Sequence, residues 1–136
     1  MADTISAQRR SAVMARIRSK DTSPELLVRR ITHAMGFRYR LHVATLPGKP
    51  DLVFTRLHRI IQVHGCFWHQ HEGCGDSHIP KSSVEYWKPK LTRNVSRDGE
   101  NLKRLGELGW RVLTVWDCEL KDVRTVRKRI RRFLEH

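Results

Sequence analysis

The chain has no apolar stretch approaching the roughly 18 residues needed to span a bilayer. Its first ten residues, Met-Ala-Asp-Thr-Ile-Ser-Ala-Gln-Arg-Arg, also lack the apolar run of a secretory signal. Membrane-embedded and exported classes are set aside, and a cytoplasmic setting is expected. Cysteine is scarce: Cys66, Cys74 and Cys118 make an odd count that argues against a closed disulfide framework. In a reducing compartment such cysteines more readily bind metal than each other. Internal repeats and low-complexity linkers are lacking, so one domain accounts for the chain. Acids are in short supply too: 14 Asp and Glu stand against 27 Lys and Arg, a formal net charge of +13. That excess concentrates polyanions, of which nucleic acid is the commonest in a cell. What remains is a folded chain of 136 residues, 39% hydrophobic and 30% charged, long enough to bury a core without disulfide staples.

Residues 1–20 carry Arg9, Arg10, Arg16, Arg18 and Lys20 with Ile5, Val13, Met14 and Ile17, a pattern that suits a basic arm lying on a phosphate backbone. A single domain is expected over residues 21–136. Its first helix starts at Asp21-Thr22-Ser23-Pro24-Glu25: Thr22 or Ser23 can cap, Pro24 suits the first turn, and Glu25 completes a capping box. Leu27, Ile31 and Ala34 then share a face, and Gly36 stops the helix. Extended segments are predicted over Phe37–Val43, Asp51–Thr55 and Arg59–His64, parted by turns at 47–50 and 56–58. Ser82–Leu108 reads as helical and broken near Pro89, with Leu91, Val95, Leu102, Leu105 and Leu108 on its core face and Gly109 at its end. Trp110–Trp116 follows as a strand with Val112, Leu113 and Val115 mostly buried. A last helix, about Val123–Leu134, carries six basic residues. The order implies an α/β fold, a mixed central β-sheet flanked by helices.

The densest chemistry lies between His64 and Cys74. Zinc takes about four borderline or soft ligands in a tetrahedron, and closed Cys/His sites are structural. Cys66, His71 and Cys74 supply three ligands from one loop, and Cys118, just past the strand ending at Trp116, can close the shell. His69 is also in range, so the histidine ligand stays open between His69 and His71. The bland alternative, small buried thiols, is outweighed by the density of ligands. Pro50-Asp51 opens one predicted strand and Gln62-Val63-His64 ends the next, which brings Asp51 and that end to one edge of the sheet. Phe67, Trp68 and Trp87 are aromatics that either plug the core or enter a base stack, a cost that mispaired DNA partly waives. A zinc deaminase would need a Pro-Cys-x-x-Cys pair, which the sequence lacks.

These stretches resemble a known family. Arg10-Ser11 with Met14 and Ile17, Asp21-Thr22 with Glu25, and Leu46-Pro47-Gly48-Lys49-Pro50-Asp51 match the very short patch repair (Vsr) mismatch endonucleases. So do His64-Gly65-Cys66-Phe67-Trp68-His69, Trp87, Asn94, Arg97-Asp98, and Leu105-x-x-Leu108-Gly109-Trp110-Arg111-Val112-Leu113 through to Trp116 and Cys118. The resemblance spans nearly the whole chain. It implies a restriction-endonuclease-like fold with a structural Zn²⁺, and a Mg²⁺-dependent nick 5′ of the thymine in a T:G mismatch of double-stranded DNA, such as arises from deaminated 5-methylcytosine. By position it makes Asp51 the Mg²⁺ ligand, aided by the main-chain carbonyl of Val63. His69 would activate the attacking water, His64 would hold the phosphate, and Glu25 would hold metal-bound water. Phe67, Trp68 and Trp87 would enter beside the mismatch from the major groove and Met14 from the minor groove, with Ile17 and Asn94 also at the DNA. A monomer acting on the bacterial nucleoid is expected. The chain departs from the pattern at Gln62, where the fold often has an acid, at Val63, often polar, and at His71-Glu72-Gly73-Cys74, one residue longer than the usual His-x-Cys. The rival readings are a zinc-bearing DNA-binding module without catalysis and a restriction-type endonuclease that cuts paired DNA.

Overall fold

A computed structural model describes residues 21–136; Met14, Ile17 and the rest of the expected arm lie outside the described residues. The described chain runs α1 (Ser23–Ala34), β1 (Arg40–Leu41), β2 (Leu52–Phe54), β3 (Arg59–His64), α2 (Val84–Glu107), β4 (Arg111–Trp116) and α3 (Val123–Glu135), with short 3-10 turns before α2 and α3. The strands form one sheet in the order β1-β2-β3-β4. β1 and β3 pair antiparallel with β2, while β4 runs parallel to β3. The sheet is therefore mixed, as the order of elements implies.

Pleating explains the layers. In β2, Leu52 and Phe54 point to one side and Val53 to the other. In β3, Ile61 and Ile60 divide the same way. Leu52, Phe54, Ile61 and Val115 meet Val28 and Ile31 of α1 and Val126, Ile130 and Leu134 of α3. On the opposite face Val53 and Ile60 meet Leu105 of α2. The sheet is thus buried on both faces, which is why its central strands read as apolar runs and not as alternations.

The helix ends follow their local chemistry. Thr22 caps α1, its hydroxyl accepting from the Glu25 amide at 3.4 Å. Gly36 (φ 94°) and Gly109 (φ 91°) supply the left-handed residue after α1 and α2. In each case the two amides past the end turn back to carbonyls of the last turn: Phe37 to Thr32 and Gly36 to His33, then Trp110 to Leu105 and Gly109 to Gly106.

Several sequence expectations need correction. α1 buries Val28 and Ile31 with Glu25 and Thr32, whereas Leu27 is half-buried and Ala34 exposed. The first extended segment contracts to Arg40–Leu41 and the second to Leu52–Phe54. α2 is one continuous helix through Pro89. The carbonyl that Pro89 leaves without an amide belongs to exposed Glu85, where water can reach it, so the usual cost of an interior proline is softened. The core face of α2 is Trp87, Leu91, Asn94 and Leu105; Val95, Leu102 and Leu108 are exposed. In β4 only Val115 is fully buried, since β4 is an edge strand of the sheet.

Candidate functional site

The parallel pairing of β3 with β4 sets His64 opposite Trp116, so both strands end at the same edge of the sheet. The chain leaves β3 into the Gly65–Cys74 loop and leaves β4 into Asp117-Cys118. Open sheets with parallel strands commonly build their sites outside such carboxyl ends. Here the edge opens on a cleft of about 1000 Å³. It is lined by the start of α1 (Asp21–Pro24), His42, residues 48–51, the end of β3 (62–65), Trp68, His69, and Asn94, Arg97, Asp98 and Asn101 of α2.

On the first wall of the cleft, Asp51 Oδ2 accepts the Val63 amide at 2.8 Å. Burial raises the Asp51 carboxyl to about 6; the Val63 amide opposes that shift, and the neighbouring Glu25 carboxylate adds to it. Glu25 is 2% exposed. Its Oε2 meets His42 Nε2 at 2.8 Å and forms an ion pair with Arg29, which also pairs with Asp21. The His42 amide bonds the Asp51 carbonyl at 3.1 Å. His42 itself sits at φ 46°, a backbone conformation that costs about 1–3 kcal/mol for a non-glycine residue. The partly buried Asp51 carboxyl thus lines the cleft, with the buried Glu25 carboxylate behind it.

Also lining the cleft, His64 and His69 stack with ring centroids 3.8 Å apart and planes at 8°. Burial, reinforced by His69, lowers His64 to about 4, so it is neutral at physiological pH. His69 Nδ1 meets Asp98 Oδ2 at 2.5 Å. With that carboxylate accepting at Nδ1, a neutral His69 carries its lone pair on Nε2, the arrangement of an oriented base.

The loop beyond turns its alternate residues to a different purpose. Cys66, His71, Cys74 and Cys118 bring their ligand atoms within 4.8 Å of one another. His71 Nδ1 is 3.5 Å from Cys66 Sγ and 3.4 Å from Cys118 Sγ. A tetrahedral zinc with Zn–S about 2.3 Å and Zn–N about 2.0 Å separates such ligands by roughly 3.5 Å, so the donor set fits the ion. In this geometry His71, and not His69, joins the thiols. The extra residue before Cys74 is taken up by exposed Glu72 and Gly73, the latter at φ 75°. Asp117 Oδ1 accepts from the protonated Cys66 thiol at 2.8 Å and from its amide at 3.4 Å; the amide contact is the one compatible with a ligating thiolate. Trp116 stacks on His71 at 4.2 Å and presents an edge to His64 at 5.3 Å, joining the donor cluster to the cleft.

Phe67, Trp68 and Trp87 form an edge-to-face trio with centroids 5.1 to 5.7 Å apart. Phe67 and Trp68 are half-buried, whereas Trp87 is 4% exposed and lies beneath them. Asn94, 6% exposed, donates from Nδ2 to the Trp68 carbonyl at 3.2 Å.

Asp98, Asp117, His42 and Arg29 carry no role in the sequence reading. Asp98 had a signal: Trp87, Leu91, Asn94, Asp98, Asn101 and Leu105 recur at helical spacing, so the polar letters share the buried face. Asp117 had none, because its partner Cys66 is 51 residues away.

Comparison with known proteins yields a family match and close relatives. The family described as DNA mismatch endonuclease Vsr matches residues 2–75. The chain is 45% identical to the type II nicking enzyme V.XorIIP of Xanthomonas oryzae pv. oryzae, over 99% of this chain and 98% of that protein. It is 40% identical to the DNA mismatch endonuclease Vsr of Escherichia coli K12, over 89% of this chain and 77% of that one. Among solved structures, the catalytic domain of the homing endonuclease I-Bth0305I superposes with a TM-score of 0.57 at 26% identity, covering 83% of this chain and 94% of that domain.

Proposed function

The chain belongs to the Vsr family of DNA mismatch endonucleases, and from that membership we propose that it nicks one strand of duplex DNA 5′ of the thymine in a T:G mismatch, with Mg²⁺ at the catalytic edge and Zn²⁺ in the loop. It is a DNA endonuclease of restriction-endonuclease-like fold. The observation that supports the finer reading best is that one cleft is lined both by Asp51, with Glu25 behind it, and by the His69–Asp98 pair.

Mg²⁺ keeps most of its waters and takes few protein carboxylates, so Asp51 with the Val63 main chain and a nearby Glu25 suits it. When bound there, the ion neutralises charge on the scissile phosphate. The protein groups supply the rest. His69, held by Asp98, accepts the proton of the attacking water through Nε2. His64, neutral and stacked on His69, donates a hydrogen bond to a phosphate oxygen. The adjoining Asp51 and Glu25 carboxyls offer a phosphate no positive charge, so nicking is expected to depend on the divalent cation. Gln62 leaves that wall of the cleft without the additional acid many such nucleases carry. Cys66, His71, Cys74 and Cys118 hold Zn²⁺ as scaffold and take no part in the chemistry. Phe67 and Trp68 enter beside the mispair from the major groove, backed by Trp87 and tied through Asn94. The basic arm of residues 1–20, with Met14 and Ile17, completes the grip on the DNA of a single protomer, acting on chromosomal DNA in the cytoplasm. Among the described residues no helix is long and apolar enough to cross a membrane.

The test is a strand-specific nicking assay on a T:G duplex with and without Mg²⁺. Wild type is expected to cut only the thymine strand, and Asp51→Ala to leave cutting at background while still binding. Tight binding without any cut by the wild type would reduce the protein to a binding module. Cleavage of both strands of fully paired DNA would favour the restriction-type alternative.

A further inference from the structure

The cleft leaves one strongly charged surface unused. α3 buries Val126, Ile130 and Leu134 against the sheet. A side flanking that buried face exposes Arg124, Arg127, Lys128 and Arg131, at the i, i+3, i+4, i+7 spacing of one helix face. These side chains line a shallow groove of about 420 Å³, together with Val123. No residue of α3 lines the cleft.

We propose that this stripe is a second, sequence-independent contact for the phosphate backbone of duplex DNA, separate from the cleft. Three observations carry it. Arg124–Lys128 and Arg127–Arg131 are like-charge pairs one turn apart, an arrangement that disfavours an isolated helix and that an anionic partner relieves. Among the described residues no carboxylate pairs with Arg124, Arg127 or Arg131; Lys128 faces only Asp122, and the one α3 cation in an ion pair is Arg129, held by Glu119 off the stripe. The stripe also has the reach of its partner. Seven residues of helix rise about 10 Å, over which a duplex presents roughly six phosphates on its two strands. The inference rests on the chain acting on DNA. It needs no mismatch and no cut, and so it stands or falls separately from the nicking reading.

The experiment measures binding of a fully paired duplex, without Mg²⁺, by fluorescence anisotropy across a salt series. Combined Arg124→Gln, Arg127→Gln, Lys128→Gln and Arg131→Gln is expected to weaken binding by about tenfold or more and to make the slope of log K against log salt shallower by about 2 to 4. Arg127→Gln alone is expected to remove about one unit of slope. Replacing the three arginines with lysine restores the wild-type slope. Single-turnover nicking of a T:G duplex at saturating protein stays at the wild-type rate, since the cleft is intact. A wild-type slope in both glutamine variants overturns the proposal and points to a protein partner for the stripe. Equal loss in the lysine and glutamine sets overturns it as well, because the contact would not then be one of charge.

Discussion

Asp51 is a cleft carboxyl whose ionisation the fold disfavours. Its carboxyl, near 3.8 when unfolded, rises to about 6 in the fold, chiefly through burial. A group raised in this way favours folding while protonated: its contribution is complete below about pH 4 and lost as the pH climbs through about 6. Asn at this position cannot ionise and still offers an oxygen to the Val63 amide. Asp51→Asn is therefore expected to be more stable than wild type at pH 7–8 without Mg²⁺, by about 1–3 kcal/mol, with the gap closing toward pH 4. Urea unfolding at a series of pH values measures it, and a gap independent of pH would refute the burial argument. Asp51 itself was legible in the sequence because Pro-Asp opens a strand and a second strand ends nearby. Asp98 showed its face through helical spacing but not its partner, and His42 and Asp117 showed neither, because each acts on a partner that only the tertiary fold brings within reach.

Elements were legible where one physical pattern dominated. β3 is found at Arg59–His64 as read, since a β-branched run bounded by turn residues has one good solution. α2 was misread at its face. The large apolar residues of the helix select Leu91 and Leu105, which are buried, but also Val95, Leu102 and Leu108, which are exposed; the helix turns Asn94, Asp98 and Asn101 inward instead, toward the cleft. The loop carrying Asp51 is fitted against that same face. A Cβ on Gly48 (φ 78°) would lie 2.8 Å from Asn101 Nδ2. Gly48→Ala is thus expected to destabilise by about 1–2 kcal/mol through backbone strain and the forced shift of Asn101, and to slow nicking. The double change with Asn101→Ala removes the closest contacts but keeps the Asn101 Cβ at 3.1 Å, so it should recover part of the steric cost and leave the strain, as a double-mutant cycle in urea reads.

For the whole molecule, the donor cluster brings together the chain just past the C-terminal ends of β3 and β4, at the sheet edge where the cleft opens. Wild type is expected to hold about one zinc per chain by elemental analysis, and Cys118→Ser to lose it together with several kcal/mol of stability. Cys118→Ser should also lose nicking, because His64 and His71 are joined through Trp116. Normal stability and activity in a zinc-free Cys118→Ser protein would argue against the scaffold role. At this scale the net charge of +13 announced a polyanion partner from composition alone. Which surfaces meet that partner was beyond composition, because the charge is shared between the cleft side and α3, and only the packing of α3 shows which of its cations face out.

The exposed tip at Glu72 and Gly73 bears on how such a chain can vary in length. Nothing lies within 4 Å of a Cβ built on Gly73, so residues can be gained or lost there while Cys74 still reaches its donors. Between His64 and His71 no such slack exists: one added residue would rotate every following side chain, sending a donor toward the cleft or a cleft residue toward the donors. A residue inserted at the tip is then expected to be tolerated, whereas one inserted between His64 and His71 is expected to abolish zinc binding and nicking together.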